Sequence, residues 1–376
     1  MSRAVLHAVG DIGIVGRIAD DLPHRASPFP FQDVASSLSA ADFVFGNLEM
    51  PFSGGATIAA HESARLETPE AAAERLAAAG YTVLSLANNH VMDFGPSGLA
   101  ATRRLLAEHG IESVGAGANL AEARRPVVAE RRGVRAGFLA YCVPCRASAA
   151  RDRPGAAPLD LDLVREDLAE IRPRVDCAIV SLHFGMMYLA QPTPADMAAA
   201  RDVLAAGADL VIGHHPHVLQ GIEETPRGTI AYSLGEFVFD PEAGNYYARV
   251  ARQTRRRSLI LRAEIGGRPP RLLPALPTLA SEDLSPRILE GAAAEEARAS
   301  LAELSRTLDD PVERARFWDY AGERLLAYQL SGLWFEIRRG HFRHLLERVP
   351  RIRPRHLRLV LGYLRSALSG RRSAAP

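Results

Sequence analysis

An α/β domain followed by a helical, Arg-rich extension is the fold class that the sequence predicts, on three observations. Short apolar runs and helical runs alternate at least five times, as they do when strands are joined by helices. Polar motifs built from Asp, Asn, Glu and His stand directly after the apolar runs, where a strand would hand the chain to a loop. Beyond about Arg271 the alternation stops: Pro269, Pro270, Pro274 and Pro277 read as a linker, and from Ser285 onward Ala, Glu, Arg and Leu recur at helical spacing. Two domains are expected, residues 1–280 and 281–376.

The elements follow in order. Ala4–Val9 reads as a strand ending at Gly10-Asp11, and Phe31–Leu38 as a helix. Asp42–Phe45 is a strand that delivers Gly46-Asn47-Leu48-Glu49 into a loop closed by Pro51. Pro69–Ala79 is Ala-rich and helical, with Gly80 suited to end it. Val83–Ala87 delivers Asn88-Asn89-His90 and then Asp93, and Pro96 stands at the start of a helix reaching about His109. Val127–Ala129 and Ala136–Tyr141 continue the strands, and Leu161–Ile171 the helices. Cys177–Leu182 delivers His183-Phe184-Gly185. A helix over Ala195–Ala206 leads to Asp209–Ile212 and Gly213-His214-His215-Pro216-His217; Thr229–Ser233 then brings in Leu234-Gly235-Glu236.

Composition excludes several chemistries. The chain has 376 residues, 47% of them hydrophobic, and a formal net charge of +1, which calls for no nucleic-acid partner. All 45 basic side chains are Arg, so neither a P-loop nor a Schiff-base enzyme is available. Three cysteines are too few for a disulfide scaffold; Cys142-Val143-Pro144-Cys145 has redox spacing, but such pairs also occur as plain structural residues. The first strand begins almost at residue 1, and no apolar run reaches the roughly 18 residues of a membrane span, so a cytoplasmic protein is expected. Arg338 to Arg372 holds eleven Arg against one acid, Glu347. This stretch suits peripheral contact with an anionic membrane or acidic partner, or a helix solvated by its own arginines.

Taken alone, the three imidazoles at 214, 215 and 217 fit either a metal site or a His-rich loop. Asp11, Glu49, Asn89, His90, His183, His215 and His217 taken together fit borderline or hard divalent ions such as Mn²⁺, Zn²⁺, Fe²⁺ or Mg²⁺. That set exceeds the needs of one ion and suits two, an arrangement used to hydrolyse phosphate esters. His90 is then placed to protonate a leaving oxygen, and Asp93 to orient its ring.

These motifs, in order, resemble those of the CapA family of bacterial capsule or poly-γ-glutamate synthesis proteins, which look like members of the calcineurin-like metallophosphoesterase superfamily. The resemblance covers about residues 4 to 265. It implies a four-layer α/β/β/α sandwich with a dinuclear metal centre, in which Asp11, Glu49, Asn89, His183, His215 and His217 are ligands and His90 is catalytic. His215 and His217 are chosen because only they have the His-x-His spacing. Asn47, His214, Tyr188 and Glu236 are expected to face the substrate. The sequence departs from the pattern at Gly13, where the superfamily usually has His, at Phe184 (usually Trp), at Met187 (usually acidic nearby) and at Glu236 (usually Asn). The function implied is a metallophosphoesterase-type hydrolase acting on a phosphoester or polyanionic substrate. The alternative is a non-catalytic, polymer-binding component of the capsule or polyglutamate synthesis machinery.

Overall fold

The computed structural model describes residues 2–55, 67–240, 257–312 and 361. Its first sheet is built on β1 (Ala4–Gly13), whose residues are nearly all buried because both faces of the strand are covered. On one side β2 (Phe43–Leu48), β3 (Val83–Ser85) and β4 (Glu112–Val114) follow in parallel. On the other side β1 divides. Its first half pairs antiparallel with β14 (Arg257–Ile265), and its second half pairs parallel with β13 (Glu236–Phe239). β15 (Arg271–Ala280) and β16 (Pro286–Ile288) extend that edge.

The second sheet has the order β11 (Ile222–Thr225), β12 (Gly228–Ala231), β10 (Leu210–His214), β9 (Cys177–His183), β7 (Val134–Cys142) and β6 (Val127–Arg131). Its four inner strands are parallel. A ribbon of β5 (Ala116–Gly117) and β8 (Gly155–Ala156) stands apart.

The sheets meet face to face. Phe45 of β2 stacks on Phe138 of β7 at 5.6 Å between ring centroids, and Phe43 lies 6.0 Å from the same ring. All three are fully buried, each contributing about 2–3 kcal/mol of apolar burial. Ile179, Ile212 and Ala231 belong to the same core.

Helices cover the outer faces. α6 (Leu161–Ile171) begins at Asp160, whose side chain caps Asp162 and Leu163, and Ile171 packs so closely that a Cβ on Gly137 would lie 2.6 Å from it. α7 (Pro194–Ala205) starts with a capping box between Thr193 and Asp196 and with Pro at its first position. The first sheet is covered by α1 (Arg17–Asp21), α2 (Ala35–Leu38), α3 (Ala72–Ala78), α4 (Gly95–Glu108) and their loops, with Phe31 edge-on to Tyr81 at 5.4 Å. The short α5 (Leu120–Ala123) packs on the β5–β8 ribbon. The result is the α/β/β/α layering expected.

Three sequence expectations change. The Pro-rich run is a strand: β15 tolerates Pro274 because the β14–β15 ladder shifts register there, and Pro277 because it needs only its carbonyl, which accepts from Leu289. The boundary at 280 also moves, since the chain divides into units Met1–Ser305 and Arg306–Pro376. β16 pairs with β15, and α8 (Gly291–Arg306) buries Ala294 and Ala297. The expected helix over Phe31–Leu38 shortens to α2, because Phe31 and Val34 turn into the core instead. No helix among the described residues is long and apolar enough to cross a membrane. The Arg-rich stretch Arg338–Arg372 lies, apart from Leu361, outside the described residues.

Candidate metal centre

Parallel strands deliver their C-terminal ends to one edge of the two sheets, which is where loops collect side chains in such folds. Asp11 lies late in β1, Glu49 just after β2, Asn88-Asn89 after β3, His183 at the end of β9 and His214 at the end of β10. The chain passes from β12 in the second sheet to β13 in the first across this same edge, and two glycines let it pass. A Cβ at Gly10 would lie 1.9 Å from the Gly235 oxygen, and one at Gly213 would lie 1.9 Å from the Tyr232 oxygen. The Asp11 amide donates to Gly235 O at 2.9 Å, which anchors the crossing beside the carboxylate.

Asp11 is fully buried. Its Oδ1 accepts from Asn47 Nδ2 at 2.9 Å and from His214 Nδ1 at 3.1 Å; its Oδ2 accepts from the His215 amide at 3.1 Å. Because an ionised carboxylate can only accept, His214 carries its proton on Nδ1. Burial works against the charge on Asp11, but contacts from His214 and His217 hold its carboxyl well below the ordinary range.

His215 and His217 leave β10 on a backbone that L-residues seldom adopt, with φ of 95° and 60°. Such conformations cost on the order of 1–3 kcal/mol each and collect at functional sites. Here they turn both imidazoles toward Glu49: donor atoms of Glu49, His215 and His217 all lie within 4.8 Å of one another. His217 Nε2 is 3.5 Å from Glu49 Oε1, while its Nδ1 is 3.3 Å from Asp11 Oδ2 and 3.6 Å from Glu236 Oε1, contacts of charge more than formed hydrogen bonds.

Burial opposes the charge of His217, yet Glu49, Asp11 and Glu236 raise the imidazole to about 10. Burial also pushes Glu49 up to about 7. The buried Glu49 Oε2 has no hydrogen-bond partner among the described residues. Carboxylates and imidazoles packed together without enough protons to satisfy them are what a divalent cation relieves, so the donor set fits a metal.

His183 is buried beside this group, its ring 4.7 Å from that of His215. Burial, and then the neighbouring His215, holds its pKa well below the ordinary value, which keeps it in the neutral form a ligand requires. Its Nε2 is 2.8 Å from Asn89 Oδ1. His90 follows, with its backbone amide on Asn88 Oδ1 and its Nδ1 2.8 Å from Asp93 Oδ2. Both partners of that pair keep partial exposure, at 22% and 12% of the side chain, so the imidazole stands at the rim.

Two residues expected to face the substrate are placed otherwise. Asn47 has no exposure and spends its amide on Asp11 while its oxygen takes Asn88 Nδ2. His214 lies beneath Asp11 with its ring 6.3 Å from Phe45. Both hold the carboxylate from behind. Tyr188 is half-buried at the mouth, 5.9 Å from the His217 ring, with its amide on Pro216 O and a φ of 62°.

Glu236 is paired in register with Asp11 on the neighbouring strand, so its carboxylate joins the donor group itself. At Gly13 the space a side chain would need is filled by the ring of Phe239, 2.6 Å from a Cβ placed there. Asn88, Phe239 and Cys142 are the neighbours that sequence reasoning did not assign to the site. Only the position of Asn88 inside the Asn-Asn-His motif offered a signal.

Comparison with known proteins gives the family of the chain. A family model described as bacterial capsule synthesis protein PGA_cap matches residues 5–241. The capsule biosynthesis protein CapA of Bacillus anthracis is 35% identical over 252 residues, 63% of this chain and 60% of that protein. The PGA biosynthesis protein CapA of Bacillus subtilis (strain 168) is 34% identical over 237 residues, 62% of each. The chain thus spans about 60% of the length of these relatives. Among solved structures, a phosphatase from Mycoplasma pneumoniae shares 13% identity with a TM-score of 0.43, over 79% of this chain and 97% of that one. A likeness that distant carries no weight for the chemistry.

Proposed function

This chain belongs to the PGA_cap family of bacterial capsule synthesis proteins, and from that premise we propose that it is a metal-dependent hydrolase of phosphoesters that serves synthesis of an anionic polymer of the poly-γ-glutamate type. One observation carries the reading: a donor group of the buried Asp11 and Glu49 with the half-buried His215 and His217 sits beside the Asn89–His183 contact, with the His90–Asp93 pair at its rim. Asp11, Glu49, Asn89, His183, His215 and His217 would hold two divalent ions, of the class Mn²⁺, Zn²⁺, Fe²⁺ or Mg²⁺. Such ions, when bound, polarise a phosphoryl oxygen and lower the pKa of attacking water.

The protein's own groups do the rest. Asp93 accepts from His90 Nδ1, which fixes the tautomer and leaves Nε2 to exchange a proton with the leaving oxygen. Asn47 and His214 hold the Asp11 carboxylate in one orientation. Tyr188 offers an aromatic edge at the mouth. The family's link to anionic polymers fits a site whose cations would attract a negatively charged substrate.

Metal content after loading with each of the four ions, and turnover of phosphomonoesters and phosphodiesters by wild type and His90→Ala, test the proposal together. Stoichiometric metal with turnover that collapses in the variant is the expected result. Absence of bound metal overturns the reading. Metal without turnover in either protein replaces it with a polymer-binding accessory role.

A further inference from the structure

β1 and β13 run parallel and leave the first sheet at the same edge, the one that carries the candidate metal centre. Glu236 of β13 lies 3.6 Å from His217, and Phe239 at the end of that strand stands 5.8 Å from the same imidazole, ring to ring. Asp240 comes next. Extended backbone rises about 3.3 Å per residue, so Asp240, four positions on, lies on the order of 13 Å beyond Glu236. Past the end of β1, Ile14 and Val15 are fully buried, and Gly16 turns the chain at a φ of 57° into α1, whose first residue is Arg17.

Arg17 and Asp240 meet at this point through three hydrogen bonds. The Arg17 amide donates to Asp240 Oδ2 at 2.9 Å, Nε donates to the same oxygen at 3.2 Å, and Nη2 donates to Oδ1 at 3.2 Å. The Asp240 side chain is only 2% exposed, whereas that of Arg17 is 52% exposed. A buried carboxylate therefore grips the Nε–Nη2 edge of the guanidinium and turns the Nη1 end of the fork away from itself. The arginine has already given up its rotamer freedom to Asp240, so an oxyanion that docks on it orders little further.

We propose that Arg17 is a distal anion subsite of the candidate centre, which binds a carboxylate of the substrate while the scissile phosphoester lies at the ions. The inference rests on the hydrolase reading above and narrows its substrate class to phosphoesters that carry a carboxylate at a distance. Asp11, Glu49, Asp93 and Glu236 crowd the centre with acid, which bound ions would offset locally, but a second anion of an extended substrate needs a cation farther along the edge. Arg17 stands there, and its planar fork matches a carboxylate through paired N–H groups. Asp240 acts through Arg17 and is a positioning residue.

The test uses two aryl phosphodiesters that differ only at the end of a flexible arm, a carboxylate in one and its methyl ester in the other, together with the non-hydrolysable phosphonate of each. KM and kcat for the diesters, and calorimetric Kd for the phosphonates, are measured on the metal-loaded full chain. The wild type is expected to favour the carboxylate arm about tenfold in KM and in Kd, and Arg17→Gln to bring the two arms level through KM rather than kcat. Arg17→Lys, which keeps the charge but not the fork, should retain a preference of about two- to threefold. A phosphonate preference without turnover of either diester sinks the hydrolase reading and leaves the subsite standing, and turnover without a preference does the reverse. Equal affinity for the two arms in the wild type, no binding of either phosphonate, or a preference that survives in Arg17→Gln overturns the proposal. The wild-type comparison and Arg17→Lys decide it even if Arg17→Gln fails to fold.

Discussion

His90 gives one ring nitrogen to Asp93 at 2.8 Å and so has only Nε2 to offer a substrate. If that nitrogen protonates the leaving oxygen, His90→Ala lowers kcat by about 10²–10⁴-fold for poor leaving groups. The deficit shrinks as the leaving group becomes more acidic, and a series of aryl phosphodiesters reads this as a change in slope. Asp93→Asn, which keeps the imidazole but not its orienting charge, costs less, about tenfold. A deficit independent of leaving group would remove His90 from the acid role. Elsewhere on β1, His7 is only 3% exposed, and burial, then the Arg262 charge, lowers its pKa to about 4. The folded state therefore binds fewer protons than the unfolded state between about pH 6.5 and 4, so stability falls as pH drops through that window. Urea midpoints taken from pH 7 to 4 should fall more steeply for wild type than for His7→Gln. The candidate ligand residues are legible in the sequence because each follows an apolar run. The inward turn of Asn47 and His214 is not, because it depends on Asp11 arriving from a strand far away in the chain.

At the level of elements, the β12-to-β13 crossing depends on backbone approaching backbone at Gly10 and Gly213. Gly213→Ala places a methyl 1.9 Å from the Tyr232 oxygen, which neither strand can evade without moving the loop that carries His215 and His217. A stability loss of about 2–4 kcal/mol is expected, with weakened metal binding. Gly110→Ala is the control: its φ is 74° but a Cβ there meets nothing within 4 Å, so only the backbone preference is lost, about 1 kcal/mol. Thermal melts and metal titration of the two variants separate crowding from conformation; equal effects would mean that the crossing is not tight. Helices such as Leu161–Ile171 are legible residue for residue, because an Asp cap and a 3.6-residue period mark them locally. β15 is not, because its prolines speak against a strand and only the shifted ladder with β14 accommodates them.

On the scale of the whole molecule, the site depends on a unit that continues past the last sheet strand. β16 pairs Ile288 with Thr278, α8 buries Ala294 and Ala297, Leu301 packs against the core, and Ser305 Oγ accepts the Ile222 amide at 2.9 Å. Ile222 opens β11, and β11 is the edge partner of β12, the strand from which the chain crosses to the candidate metal centre. A chain stopped at Ala280, where composition alone would place the domain end, loses every one of these contacts. It is expected to lose on the order of 3 kcal/mol or more in urea denaturation and to bind metal less tightly. A chain stopped at Asp310 keeps all of α8 and should hold metal with wild-type affinity. If the two shortened chains melted together and bound metal equally, α8 would be an appendage to the site's scaffold and the boundary at 280 would stand.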